Sequence, residues 1–129
     1  MEYIYYLSNA SLTLRVVERL LCVNQLPLEF ITVIHQINGW VVKVKLHDSA
    51  TPQAQRNFSA FLNEIGTPYE PGFRVRMALW GLEMEQSAID VMRRYQVAVV
   101  SHGKPDRVEI EEFREQFVTG LGYCPETLA

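Results

Sequence analysis

Apolar positions along the chain switch between a period of two and a period near 3.6, and the switches divide it into elements. Glu2 to Leu7, dense in Tyr and Ile, reads as a strand. Ser8-Asn9 then offer an N-cap. Leu12, Val16, Leu20 and Val23, with Val17 and Leu21 beside them, share one face of a helix over about residues 10–23. Pro27 closes the connection.

Two apolar-rich runs follow, Phe30 to Ile37 and Trp40 to Leu46, separated by Asn38-Gly39. That dipeptide accepts positive φ at both central positions of a type I′ turn, so the pattern predicts a hairpin. A turn at Asn38-Gly39 pairs Ile37 with Trp40, His35 with Val42, Val33 with Val44 and Ile31 with Leu46 on one face. The other face receives Gln36/Val41, Ile34/Lys43, Thr32/Lys45 and Phe30/His47. The first face is apolar apart from His35, and the second is mixed.

Thr51-Pro52 reads as a cap followed by a first-turn proline, opening a helix with Phe58, Phe61, Leu62 and Ile65 on one side. Gly66 and Pro68 end it. Phe73, Val75, Met77 and Leu79 alternate with Arg74, Arg76, Ala78 and Trp80, which predicts a fourth strand. After Gly81 a third helix is expected to carry Met84, Ala88, Val91, Met92 and Tyr95. Val97 to Val100 reads as a short buried strand. Asp106, with Glu109 three residues on, resembles a capping box for a last helix bearing Ile110, Phe113 and Phe117, stopped by Gly120 and Gly122.

The order β-α-β-β-α-β matches the ferredoxin-like split βαβ arrangement. The fold class expected is therefore α+β: a ferredoxin-like core with a C-terminal α-β-α extension, built on a mainly antiparallel sheet with helices packed on it. The extension either lengthens the sheet or folds over its open face. One domain over residues 1–129 is expected, with a short tail from 120 to 129 free to fray.

Composition adds a few exclusions. Apolar residues make up 48% and charged residues 21%, which is globular rather than disordered. A net charge of −3 argues against a general nucleic-acid binder, which ordinarily carries positive charge to displace counterions. Cys22 and Cys124 form neither a disulfide framework nor a metal cluster. No basic leader with an apolar core follows Met1, and no apolar stretch approaches a membrane span, so the expected location is cytoplasmic.

Candidate chemistry is sparse. His35 alone on an apolar face reads first as a hydrogen-bonded core histidine. His102, Gly103 and Lys104, between a strand and a helix, form a candidate anion-binding site, although Asp106 already fills the cap. Glu109, Glu111, Glu112 and Glu115, interspersed with Arg107 and Arg114, read as a solvated helix face. No nucleophile elbow, CxxC or HExxH occurs, so no catalytic residue, cofactor or metal is expected.

The mixed sheet face is more informative. Phe30, Lys43, Lys45, Arg74, Arg76 and Trp80, near Ile34, Val41 and the tyrosines Tyr3, Tyr5 or Tyr6, combine the residue types enriched in binding hot spots. Those six are the expected partner-binding residues, unless the third helix covers the face. The leading expectation is a non-enzymatic interaction module, an adaptor or assembly factor binding a peptide or a subunit of a larger complex, with a homodimer as one form. The alternative is a small regulatory domain binding a metabolite or nucleotide near Ser101 to Asp106. An RNA-binding sheet stands third. The face is similar to RNA-recognition sheets, but Trp40 to Leu46 lacks their Lys/Arg-Gly-aromatic pattern.

Overall fold

A computed structural model of the chain describes residues 1–22 and 26–129. The element order is β1 (Glu2–Leu7), α1 (Ala10–Cys22), β2 (Leu28–Gln36), β3 (Gly39–Leu46), α2 (Pro52–Ile65), β4 (Thr67–Pro68), α3 (Phe73–Glu83), α4 (Ala88–Tyr95), β5 (Ala98–Gly103) and α5 (Arg107–Leu121), with a 3₁₀ turn at Glu126–Leu128. The fold is α+β. The strands form one antiparallel sheet in the order β4-β1-β3-β2-β5. Val23, expected on the first helix, lies outside the described residues.

Local chemistry sets the helix starts as the sequence predicts. Asn9 Oδ1 accepts from Leu12 N at 2.9 Å, Thr51 Oγ1 from Ala54 N at 3.1 Å, and Asp106 Oδ1 from Val108 N at 2.9 Å. Each satisfies an amide that the first helical turn leaves without a partner. Gly122, at φ 76°, closes α5, whereas Gly120 lies within it.

One sheet face carries the main core. Tyr5, Leu7, Val33, Trp40, Val42 and Val44 pack there against Val16 and Val17 of α1, Phe58 and Leu62 of α2, and Ile110 of α5. Each such side chain contributes about 1.5–3 kcal/mol through burial. Of the four phenylalanines expected in this core, Phe58 is fully buried and Phe61 and Phe113 are half-buried, while Phe117 is 38% exposed. The tail folds back on the same side. Leu128 is buried, and Trp40 Nε1 donates to the Thr127 carbonyl at 2.6 Å.

The hairpin forms, but two residues out of the expected register. His35 pairs with Trp40, Val33 with Val42 and Ile31 with Val44, so the turn is Ile37-Asn38. Neither Asn38 nor Gly39 takes positive φ. A slip of two leaves every residue on its expected face, because strand side chains repeat every two residues. Its cost falls on Ile37, now 98% exposed at the tip. Gly39 is used for space instead: Tyr6 lays its ring over it and donates its hydroxyl to the Asn38 carbonyl, and a Cβ at Gly39 would collide with that ring.

The larger correction is at Phe73 to Trp80, which is helical rather than a fourth strand. Two residues, Thr67 and Pro68, take the edge position beside β1. Gly81, expected before the third helix, is buried inside α3, and only Ala88–Tyr95 forms the helix after it. The segment expected as Val97 to Val100 becomes β5, half-buried along the free edge of β2. The extension thus does both things open to it: β5 lengthens the sheet, and α3 with α4 covers the second face. Among the described residues no helix is long and apolar enough to cross a membrane.

Candidate functional site

The mixed sheet face is closed by α3. Val75 and Leu79 pack on Ile34 and Val41, with Ile4, Tyr69, Val97 and Val99 around them. Beyond this contact lies a polar cluster. Lys43 is 5% exposed, and its Nζ lies 2.9 Å from Glu83 Oε2 and 3.8 Å from Glu2. Lys45 stands 3.6 Å from Glu29, 3.7 Å from Glu83 and 4.0 Å from Glu2. Both ammonium groups lie near the Phe30 ring, at 5.9 and 5.8 Å from its centroid. Phe30, Lys43 and Lys45, expected to meet a partner, instead meet three glutamates and pin the last turn of α3 to the sheet.

Arg74, Arg76 and Trp80 are exposed, as expected, but on a helix. With a turn of 3.6 residues, Val75, Ala78, Leu79 and Leu82 face the sheet and α4. Phe73, Met77, Trp80 and Met84 fall on the opposite side, at spacings of four, three and four. Phe73, Trp80 and Met84 are 78%, 49% and 60% exposed. Helix α3 is therefore apolar on two opposite sides, and only one has a partner among the described residues. Arg74 flanks the outer stripe on one side, Arg76 and Glu83 on the other.

The expected anion-binding residues do not converge on the α5 N-terminus. His102 lies in β5 opposite Thr32, where its Nδ1 shares a 2.7 Å hydrogen bond with Thr32 Oγ1. Its ring stands 5.3 Å from that of Phe30. Burial lowers its pKa, with Lys43 lowering it further and Glu83 and the Leu82 carbonyl opposing. Gly103 ends β5 at φ 126°, Lys104 is exposed, and Asp106 occupies the cap.

At the hairpin end of the molecule lies a cleft of about 920 Å³. His35 and the Ile37-Asn38 turn form one wall and Phe73 to Val75 a second. Gln96 and Val97 form a third, and Phe117, Leu121 and Tyr123 a fourth. Gln96 adopts the left-handed conformation that closes α4. His35 is 8% exposed, and its Nε2 has no hydrogen-bond partner among the described residues, against the expectation of a bonded core histidine. The rings of Trp40, Phe113 and Phe117 surround it at 4.9, 5.2 and 5.4 Å. That burial holds its pKa below the usual histidine value and keeps the imidazole neutral at pH 7.

Sequence reasoning missed the outer stripe and the cleft. The stripe was present as Phe73, Met77, Trp80 and Met84, a helical spacing hidden by the simpler alternation of Phe73, Val75, Met77 and Leu79. The cleft had no local signal, since its walls come from five separate stretches. Comparison of the chain with protein-family models, curated proteins and solved structures finds no match.

Proposed function

We propose that the chain is a non-enzymatic protein-interaction module that docks a partner helix along the outer side of α3, and that this partner is in the first place a second copy of itself. The observation that carries the reading is α3, apolar on two opposite sides with one of them uncovered. An apolar stripe flanked by arginine and tryptophan has the makeup of a binding hot spot. The charge layout supports self-pairing. Arg76 and Glu83 flank the stripe on the same side, toward opposite ends of the helix. An antiparallel second copy brings Arg76 toward Glu83 of that copy, whereas a parallel one sets like charges together.

The same reading takes β1 to β4 as a ferredoxin-like core, with Thr67–Pro68 standing for the fourth strand. The order β4-β1-β3-β2 supports it. An RNA-binding sheet is disfavoured, because Lys43 and Lys45 are matched by Glu2, Glu29 and Glu83.

The stripe is about 16 Å long at 1.5 Å per residue, so pairing is expected in the micromolar range. Sedimentation equilibrium across that range tests it. The chain should shift toward twice its mass as concentration rises, Trp80→Glu should hold it monomeric, and Arg76→Glu should weaken it. A monomer at every concentration, with Trp80→Glu sedimenting alike, overturns the reading.

A further inference from the structure

We propose that the cleft beside His35 is a binding site for a small hydroxyaryl carboxylate, with the ring held among Phe73, Phe117 and Tyr123, the carboxylate at Arg74 and the hydroxyl at His35 Nε2. Its volume, about 920 Å³, lies within the range of small-molecule sites, roughly 300–1,000 Å³. Single exposed apolar residues are normal on a protein surface. Here Ile37, Phe73, Phe117, Leu121 and Tyr123, all exposed, gather around one depression. That clustering gives the apolar body of the ligand.

The polar ends follow from what the walls hold and lack. Arg74 is the one full charge on them, and no carboxylate lines the cleft among the described residues. Arg74 makes no ion pair among the described residues, so its guanidinium is free to receive a carboxylate in forked geometry. At the inner wall, His35 Nε2 is buried without a partner. A buried imidazole nitrogen is normally hydrogen-bonded, and the group that satisfies it must come from the cleft side, since aromatic rings close the others. A hydroxyl suits it in either tautomer, because it both donates and accepts.

The experiment is isothermal calorimetry with three probes of rising length: 4-hydroxybenzoate, 4-hydroxyphenylacetate and 4-hydroxycinnamate. The Trp80→Phe chain is used, below the concentration at which copies pair. It leaves Trp40, which touches His35, as the one emitter for a parallel fluorescence titration. At least one probe should bind, and its methyl ester should bind about tenfold or more weakly. Arg74→Gln, at an exposed position that folding does not need, should abolish that preference for the acid. His35→Leu should remove the advantage of the hydroxylated acid over its unsubstituted parent while leaving binding of the parent. No binding by any probe at millimolar concentration overturns the proposal. So does binding that neither substitution changes, and so does an ester that binds as well as its acid. Each of these failures leaves the pairing of α3 standing, because sedimentation reads that separately.

Discussion

Lys43 Nζ donates to Glu83 Oε2 across 2.9 Å, joining the middle of the sheet to the last turn of the helix that covers it. Removing one partner of a buried pair leaves the other charge uncompensated, at about 3–5 kcal/mol. Glu2, 3.8 Å from Lys43, softens the loss. Glu83→Ala should therefore cost about 3 kcal/mol in a urea titration. The double change Lys43→Met/Glu83→Leu should recover most of it. A single change within about 0.5 kcal/mol of the parent would show that the pair does not hold α3 down.

Tyr6 and Gly39 give a second test, which separates the two explanations for a glycine after Asn38. If the turn needed positive φ, Gly39→Ala would be costly whatever sits at position 6. With the ring of Tyr6 over Gly39, the cost arises from displacing that ring. Gly39→Ala should destabilise by about 1–2 kcal/mol in the parent, a typical overpacking cost. In a Tyr6→Ala background it should cost close to nothing. A double-mutant cycle on thermal or urea stability reads the difference directly.

Acidification should destabilise the protein through His35. Its pKa is lowered in the folded chain by burial, below the ordinary 6.5 it regains on unfolding. In the interval between the two values the unfolded chain binds more protons, so stability falls as pH drops through about 6.5. His102 acts in the same direction, its pKa also being lowered. The melting midpoint should therefore decline from pH 7.5 to pH 5.5, and His35→Leu should decline less over the same range. Parallel curves for the two chains would remove His35 from the account.

The first half of the chain was readable because its signals are local. Asn9, Thr51 and Asp106 cap helices within three residues of themselves, and the β2–β3 pairing follows from two adjacent apolar runs. The hairpin register was misread because Asn-Gly carries a strong turn preference that packing overrode. Trp40 is fully buried with its indole N–H on the Thr127 carbonyl, a contact 87 residues away that no local pattern encodes. The misreading at 73–80 has a different cause. In a helix apolar on two sides, Phe73 and Met77 face outward while Val75 and Leu79 face inward, and along the sequence the four simulate a strand. Of the six residues expected to bind a partner, Arg74, Arg76 and Trp80 are exposed together on α3. The other three joined the ionic cluster, because the acids that neutralise them come from β1, β2 and α3.

The position of β5 bears on how the chain is made. Strand β2 ends at Gln36, yet the neighbour that completes its outer edge is not synthesised until Gly103. Over that interval β2 presents a row of unpaired backbone groups to whatever strand it meets, the condition under which nascent chains aggregate. Trp40 waits longer still, for Thr127. A fragment ending before Ala98 should keep the hairpin and lose the means to shield it, so solubility during synthesis is set by the last quarter of these residues rather than by the sheet that forms first.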